Sequence, residues 1–178
     1  MSLCEPIMRE GMDDLMAWLD KSDFYSAPAS TKYHDANPGG LLHHSLRVYD
    51  ELRRVLTAYP EIKVQDESVV IVSLFHDLCK TNFYTVEKRN RKNEKGVWES
   101  YDSYAVKEKF CYGGHGSKSV FLLQNFIKLT PDEAVAVNCH MGARDPGNDF
   151  VDRAYEQCPL AWALHVADEA SCYLKESE

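Results

Sequence analysis

The run Val69-Val70-Ile71-Val72-Ser73-Leu74-Phe75 is followed at once by His76-Asp77. A run with no charge on any side leaves no face for solvent, so the segment belongs in the interior of whatever forms around it. Its β-branched content would suit a strand. Asp66-Glu67 before it and Lys80 after it complement a helix dipole, and they favour a helix over about 65–81. An imidazole and a carboxylate at the end of such a helix are costly to bury unless they are paired or bind metal. The chain therefore needs a core that accommodates polar groups at its centre.

With 178 residues, 44% of them hydrophobic, the chain is long enough to enclose one sizeable core, and a single domain over 1–178 is expected. The remaining pattern is mostly helical. Met8, Met12, Leu15, Met16 and Leu19 mark one side of a first helix over about 6–20. A loop rich in Ser, Pro, Asn and Gly follows, and a second helix spans about 40–58, ending before Pro60. Phe83–Val86 and Val97–Tyr101 flank a charged stretch that ends in Gly96, which predicts an inserted β-hairpin within about 83–112. A fourth helix is expected over about 115–127. Thr130-Pro131-Asp132-Glu133 reads as a capped start for a fifth, ending at Gly142. The last covers about 159–174. The expectation is an all-α fold of about six helices carrying one small hairpin.

The net charge of −8 argues against non-specific duplex DNA binding, which needs a cationic face. It leaves room for a short single-stranded nucleic acid, because a bound metal would make a pocket locally positive. No apolar run reaches the length needed to span a bilayer, and no signal-peptide core is present, so a cytoplasmic protein without a membrane partner is expected. The six cysteines form no C-x-x-C pair and read as reduced core thiols, with Cys79 and Cys139 beside candidate ligands.

Helical periodicity sorts the seven histidines. His44 shares a face with Leu41, Val48, Leu52 and Val55, whereas His43 aligns with Arg47, Asp50 and Arg54. His44 is therefore the inward one. His76-Asp77 closes an apolar run; the second His-Asp pair, His34-Asp35, lies in a polar loop and is at most a rim feature. His115 opens a helix in Gly113-Gly114-His115-Gly116-Ser117-Lys118, where free N–H groups and Lys118 would form an anion site. His140 follows Ala136 and Val137 on an apolar face. Asp168 follows Leu160, Ala161, Leu164 and Ala167, with His165 as a rival ligand or outer partner. Four imidazoles and two carboxylates in one core are hard to satisfy without metal. Their N/O donor set suits one or two divalent ions (Mn²⁺, Fe²⁺, Co²⁺ or Ni²⁺, with Zn²⁺ or Mg²⁺ as alternatives), Asp77 bridging if two are held.

The ordered set His44, His76-Asp77, His115, His140 and Asp168 resembles the HD superfamily of metal-dependent phosphohydrolases. Gly39-Gly40-Leu41-Leu42-His43-His44-Ser45-Leu46 is similar to its first-histidine motif, and Leu74-Phe75-His76-Asp77-Leu78-Cys79-Lys80 to its HD motif with trailing lysine. Gly114-His115-Gly116 and His140-Met141-Gly142 resemble the extra histidines of binuclear members, and Val166-Ala167-Asp168 the final aspartate. The resemblance covers about 32–174, departs from the binuclear pattern at Ser117, and implies an HD-domain helical bundle. It implies one metal held by His44, His76, Asp77 and Asp168, and a second held by His115 and His140.

The expected function is hydrolysis of a phosphate mono- or diester by metal-activated water, on a nucleotide-like or other phosphorylated substrate. Asp77 and Lys80 would be catalytic, and Lys118, Arg144 and His34 would contact substrate. A di-iron oxygenase of the same helical fold, or a non-catalytic metal- or nucleotide-binding module, is the alternative. Lys88, Arg89, Arg91, Lys92 and Lys95 in the hairpin form either a solvated turn or a guide for an anionic substrate.

Overall fold

The computed structural model describes residues 2–33, 35–107, 113–145 and 149–174. Seven α-helices and one antiparallel strand pair are described: α1 Met12–Lys21, α2 Gly40–Ala58, α3 Asp66–Phe75, β1 Tyr84–Lys92, β2 Trp98–Val106, α4 His115–Leu123, α5 Pro131–Cys139, α6 Val151–Gln157 and α7 Pro159–Leu174. The mostly helical reading with an inserted hairpin therefore holds, and α2 and α7 match the expected spans. Among the described residues, no helix is long and apolar enough to cross a membrane.

α3 is the centre of the fold. Every residue from Ser68 to Phe75 is buried, as an element without a polar face requires. α2 and α5 pack on α3, and α7 packs on both α2 and α5. α4 lies against α5 and against the short 3-10 turn Leu78–Lys80. Leu41, Val48 and Leu52 on α2 and Leu160, Ala161, Leu164 and Ala167 on α7 face the shared core. The free thiols Cys4, Cys79, Cys139 and Cys158 are buried and Cys172 is half-buried; Cys111 lies outside the described residues.

Several boundaries differ from the sequence reading. The first helix begins at Met12 and not near Pro6, because Gly11 takes a left-handed conformation (φ +83°). Its α-carbon presses so close to the Phe126 carbonyl that an added Cβ would lie 1.8 Å from the oxygen. α3 ends at Phe75: His76 is still helical, but Asp77 leaves helical geometry (φ −101°, ψ 21°). α4 stops at Leu123 and α5 at Cys139, each before the expected end, and a 3-10 turn follows α5 over Gly142–Arg144. The short helix α6 was not expected. The strands are longer than the apolar segments that announce them, since cross-strand pairing continues through the charged residues from Tyr84↔Val106 to Lys92↔Trp98.

The start of α5 shows how buried charge is handled away from the site. Thr130 and Glu133 form a reciprocal capping box. The same Glu133 carboxylate accepts from Arg9 (2.6 Å) and Ser68 (2.7 Å), and Arg9 also reaches Glu67, so the N-terminal segment is tied to α3 and α5. Burial pushes the Glu133 carboxyl up, but hydrogen bonds from Arg9 and Ser68 outweigh it and hold the group below its ordinary range. A depressed carboxyl contributes stability above its unfolded value of about 4.3 and loses that contribution as pH falls through the folded value. Glu133→Gln keeps the shape of the cap and is expected to lower unfolding free energy by about 2 kcal/mol at pH 7. In urea titrations the deficit should narrow as the pH is taken below about 4. An equal deficit at pH 7 and pH 3 would show that the charge is not the stabilising element.

Candidate metal centre

Five of the six proposed ligand residues converge in the interior. His44 comes from the buried face of α2, His76 and Asp77 from the end of α3, His140 from the end of α5 and Asp168 from α7. His44, His76 and His140 are fully buried, and Asp77 and Asp168 nearly so. His44 Nε2 lies 3.1 Å from Asp168 Oδ1, 3.2 Å from His76 Nε2 and 3.6 Å from Asp77 Oδ2. His76 Nε2 lies 3.4 Å from Asp77 Oδ2. On the other side of the carboxylate, His140 Nε2 is 3.5 Å from Asp77 Oδ1.

Local geometry makes each imidazole present the same nitrogen. His76 and His140 occupy the residue just past a helix, where carbonyls of the last turn have no intrahelical donor. His76 Nδ1 donates to the Ser73 carbonyl at 2.8 Å, and His140 Nδ1 donates to the Val137 carbonyl at 2.7 Å. His44 Nδ1 pairs with Ser171 Oγ on α7 at 3.2 Å. In His76 and His140 a proton fixed on Nδ1 leaves the Nε2 lone pair facing inward, the arrangement metal-ligating histidines need, whereas the Ser171 hydroxyl can donate to or accept from His44 Nδ1.

Asp77 is central to the electrostatics. Burial favours its neutral form, but Lys80 and His76 outweigh that and hold the carboxyl well below its usual range. Lys80 Nζ donates to Asp77 Oδ2 at 2.6 Å; burial disfavours its charge, but Asp77 reverses this and the ammonium is held above its usual range. Asp168 is likewise lowered, with its bond to His44 overcoming burial. Burial pushes His44 down and keeps it a neutral donor. His140 is also opposed by burial, yet Asp77 outweighs it and raises the imidazole.

These groups could hold a metal ion. His44, His76 and Asp77, His76, His140 and Asp168, and His44, Asp168 and Cys172 each place ligand atoms within 4.8 Å of one another. Asp77 Oδ1 and His140 Nε2 are buried without a hydrogen-bond partner, since 3.5 Å between them exceeds a proper bond. Two potential ligand atoms facing each other in a core without a hydrogen-bond partner are a costly arrangement for a protein alone and suited to a cation.

His115 stands apart from that group. It is half-buried, and its Nδ1 lies 3.7 Å from Cys79 Sγ; these two with Asp77 form a separate potential ligand group. Burial pushes the Cys79 thiol up to about 12, so it is a protonated thiol near neutral pH. α4 approaches α5 closely because Gly116 lacks a side chain; a Cβ there would lie 2.2 Å from the Asn138 carbonyl oxygen.

The expected anion site at the α4 start is already filled. The His115 and Gly116 N–H groups both donate to the Asp145 carboxylate, at 3.1 Å each, so an internal anion takes the place of substrate phosphate. Lys118 is buried with Nζ 4.7 Å from the centre of the Phe83 ring and does not line the cavity that Asp77 and Asp168 border. Arg144 does border that cavity, but its guanidinium is held by Glu169 through two bonds of 2.7 and 2.8 Å. His34 lies outside the described residues. His165 turns from the ligand group and donates to the His140 carbonyl at 2.7 Å, as an outer partner.

The cavity itself has a volume of about 940 Å³. Asp77, Asp168, Lys80 and His115 are among its polar lining, and Phe83 and Tyr84 among its apolar lining. Ser171, Cys172 and Asp145 escaped the sequence reading. Ser171 and Cys172 lie three and four residues beyond Asp168, one helical turn on, so periodicity from Asp168 carried the signal. Asp145 had none, because its role depends on a contact between separate segments.

Comparison of the chain with family models, curated proteins and solved structures yields no significant match.

Ser171→Ala removes the partner of His44 Nδ1 while keeping every ligand atom. It is expected to weaken Mn²⁺ binding about tenfold in isothermal titration calorimetry. An unchanged dissociation constant would show that Ser171 does not orient the imidazole.

Proposed function

We propose that this protein is a metal-dependent phosphohydrolase of the HD superfamily, cleaving a phosphate mono- or diester of a nucleotide-like substrate. The observation that carries the reading is the convergence of three Nε2 atoms and two ionised carboxylates, with Asp77 Oδ1 and His140 Nε2 left unpaired, at the base of a cavity. His44, His76, Asp77 and Asp168 would hold the principal ion. A second would be held by Asp77 with His140 and His115. A divalent transition metal bound there supplies Lewis-acid polarisation of a phosphoryl oxygen and makes water more acidic.

The chain's own groups have distinct tasks. Lys80 keeps Asp77 ionised and aligned by holding Oδ2. Because it stays protonated, Lys80 serves as a fixed positive charge toward phosphoryl oxygens and not as a base. His115 is pushed down by burial and faces the cavity as a neutral imidazole, placed to contact the reacting group. Phe83 and Tyr84 limit water on one wall, which strengthens the electrostatic contacts inside.

Protein purified without chelator is expected to carry Mn²⁺, Fe²⁺, Co²⁺ or Ni²⁺ by elemental analysis and to hydrolyse a chromogenic phosphodiester. Asp77→Ala should lose the ion and at least about 100-fold in turnover. Lys80→Met should retain the ion with a lower kcat. A chain that takes up no transition metal, or an Asp77→Ala variant with full turnover, would overturn the proposal.

A further inference from the structure

Only the base of the hairpin belongs to the body of the protein. Tyr84 and its register partner Val106 line the cavity, and Tyr84 and Ala105 are buried. From there the strands continue for seven more register pairs, Val86↔Tyr104 to Lys92↔Trp98. At about 3.3 Å per residue the arm reaches about 23 Å beyond the cavity mouth. β1 and β2 pack on each other, and among the described residues neither makes a comparable interface with a helix. These outer pairs therefore do little for the core.

Strand alternation defines what the arm presents. Val86, Lys88 and Lys92 share the face of Tyr84, and Tyr104 and Trp98 share the face of Val106, so one ribbon face runs outward from the cavity. Ribbon twist turns this face but does not interrupt it. Trp98 is 67% exposed, and Lys92 Nζ lies 5.5 Å from its ring centre. On the opposite face Arg91 lies 4.9 Å from the centre of the Tyr101 ring. Lys88 and Arg91 are tied across the strands to Asp102 and Glu99, exposed pairs that a polyanion can displace. A chain of net charge −8 thus carries a projecting arm on which cations flank aromatic rings, Trp98 exposed and Tyr101 and Tyr104 half-buried.

We propose that the hairpin guides a single-stranded nucleic acid whose end enters the cavity, with bases stacking on Trp98 and Tyr104 and phosphates passing Lys88 and Lys92. The proposal rests on the phosphohydrolase reading for the fate of that end, but not for binding along the arm. Five basic residues against Glu87, Glu94, Glu99 and Asp102 leave the arm slightly basic on a chain of net charge −8, which favours a polyanion, and the exposed Trp98 ring selects one whose base faces are open, not a duplex. An acidic peptide would use the lysines and leave the aromatic faces idle. Continuity of the face with the cavity gives the strand its direction.

The test uses the full metal-loaded chain and a fluorescein-labelled single-stranded RNA dodecamer, read by anisotropy across a salt series. Turnover of bis(p-nitrophenyl) phosphate, too small to reach the arm, is measured on the same preparations. Trp98→Ala is expected to weaken dodecamer binding about tenfold or more. Lys92→Glu should weaken it and flatten the dependence of log K on log salt by about one to two. Both variants should keep wild-type turnover of the small ester. Unchanged dodecamer affinity in both variants, or no dodecamer binding by the wild type at low salt, overturns the proposal and leaves the hydrolase reading intact. Hairpin-dependent binding without any ester turnover upholds the guide and counts against the hydrolase.

Discussion

An ionised aspartate lies in the interior, and the surrounding architecture is organised by the need to stabilise it. Removing a carboxylate from water costs several kcal/mol after relaxation, and attraction in the core repays this only with close partners. Asp77 has them on both sides: Lys80, His44 and His76 around Oδ2 and His140 near Oδ1. No single helix could supply that set. It requires α2 and α5 to bring their histidines to the end of α3, and both pack on α3.

Helix ends deliver these groups more accurately than helix faces alone would. His76 and His140 each sit where a helix stops and each donates Nδ1–H to a carbonyl three residues back. One hydrogen bond thereby satisfies a terminal carbonyl, selects a tautomer and aims the remaining nitrogen. The departure of Asp77 from helical geometry turns its carboxylate into the space between the imidazoles and Lys80. A continuous helix through 81 would have kept Asp77 on a different azimuth from His76, at about 100° per residue.

The same physics accounts for the internal partners of the expected substrate contacts. Helix N-termini attract anions, and α4 has one, but the anion is the chain's own Asp145. Arg144 is at the cavity and meets Glu169. In a chain with more acids than bases, cationic groups find internal carboxylates, so a basic residue near a site is not by itself a substrate contact.

Periodicity made His44, the buried α3, the α5 capping box, the span of α7 and the hairpin legible, because these depend on neighbours within a few residues. The inward set His44, His76, Asp77, His140 and Asp168 was legible for the same reason: each lies on an apolar face or at the end of an apolar run. What the linear pattern could not carry were contacts between distant segments: the pairing of Ser171 with His44, Asp145 capping α4, His165 turning outward and His115 grouping with Cys79 rather than with His140. Helix ends also escaped it, since they are set by close approaches such as Gly11 against Phe126 and by side chains drawn into the centre. Local spacing marked the apolar faces and the polar groups among them for burial, because exposing apolar surface to water is costly. Which buried groups face one another was set by the packing of the helices, because chain order does not specify how separate segments meet.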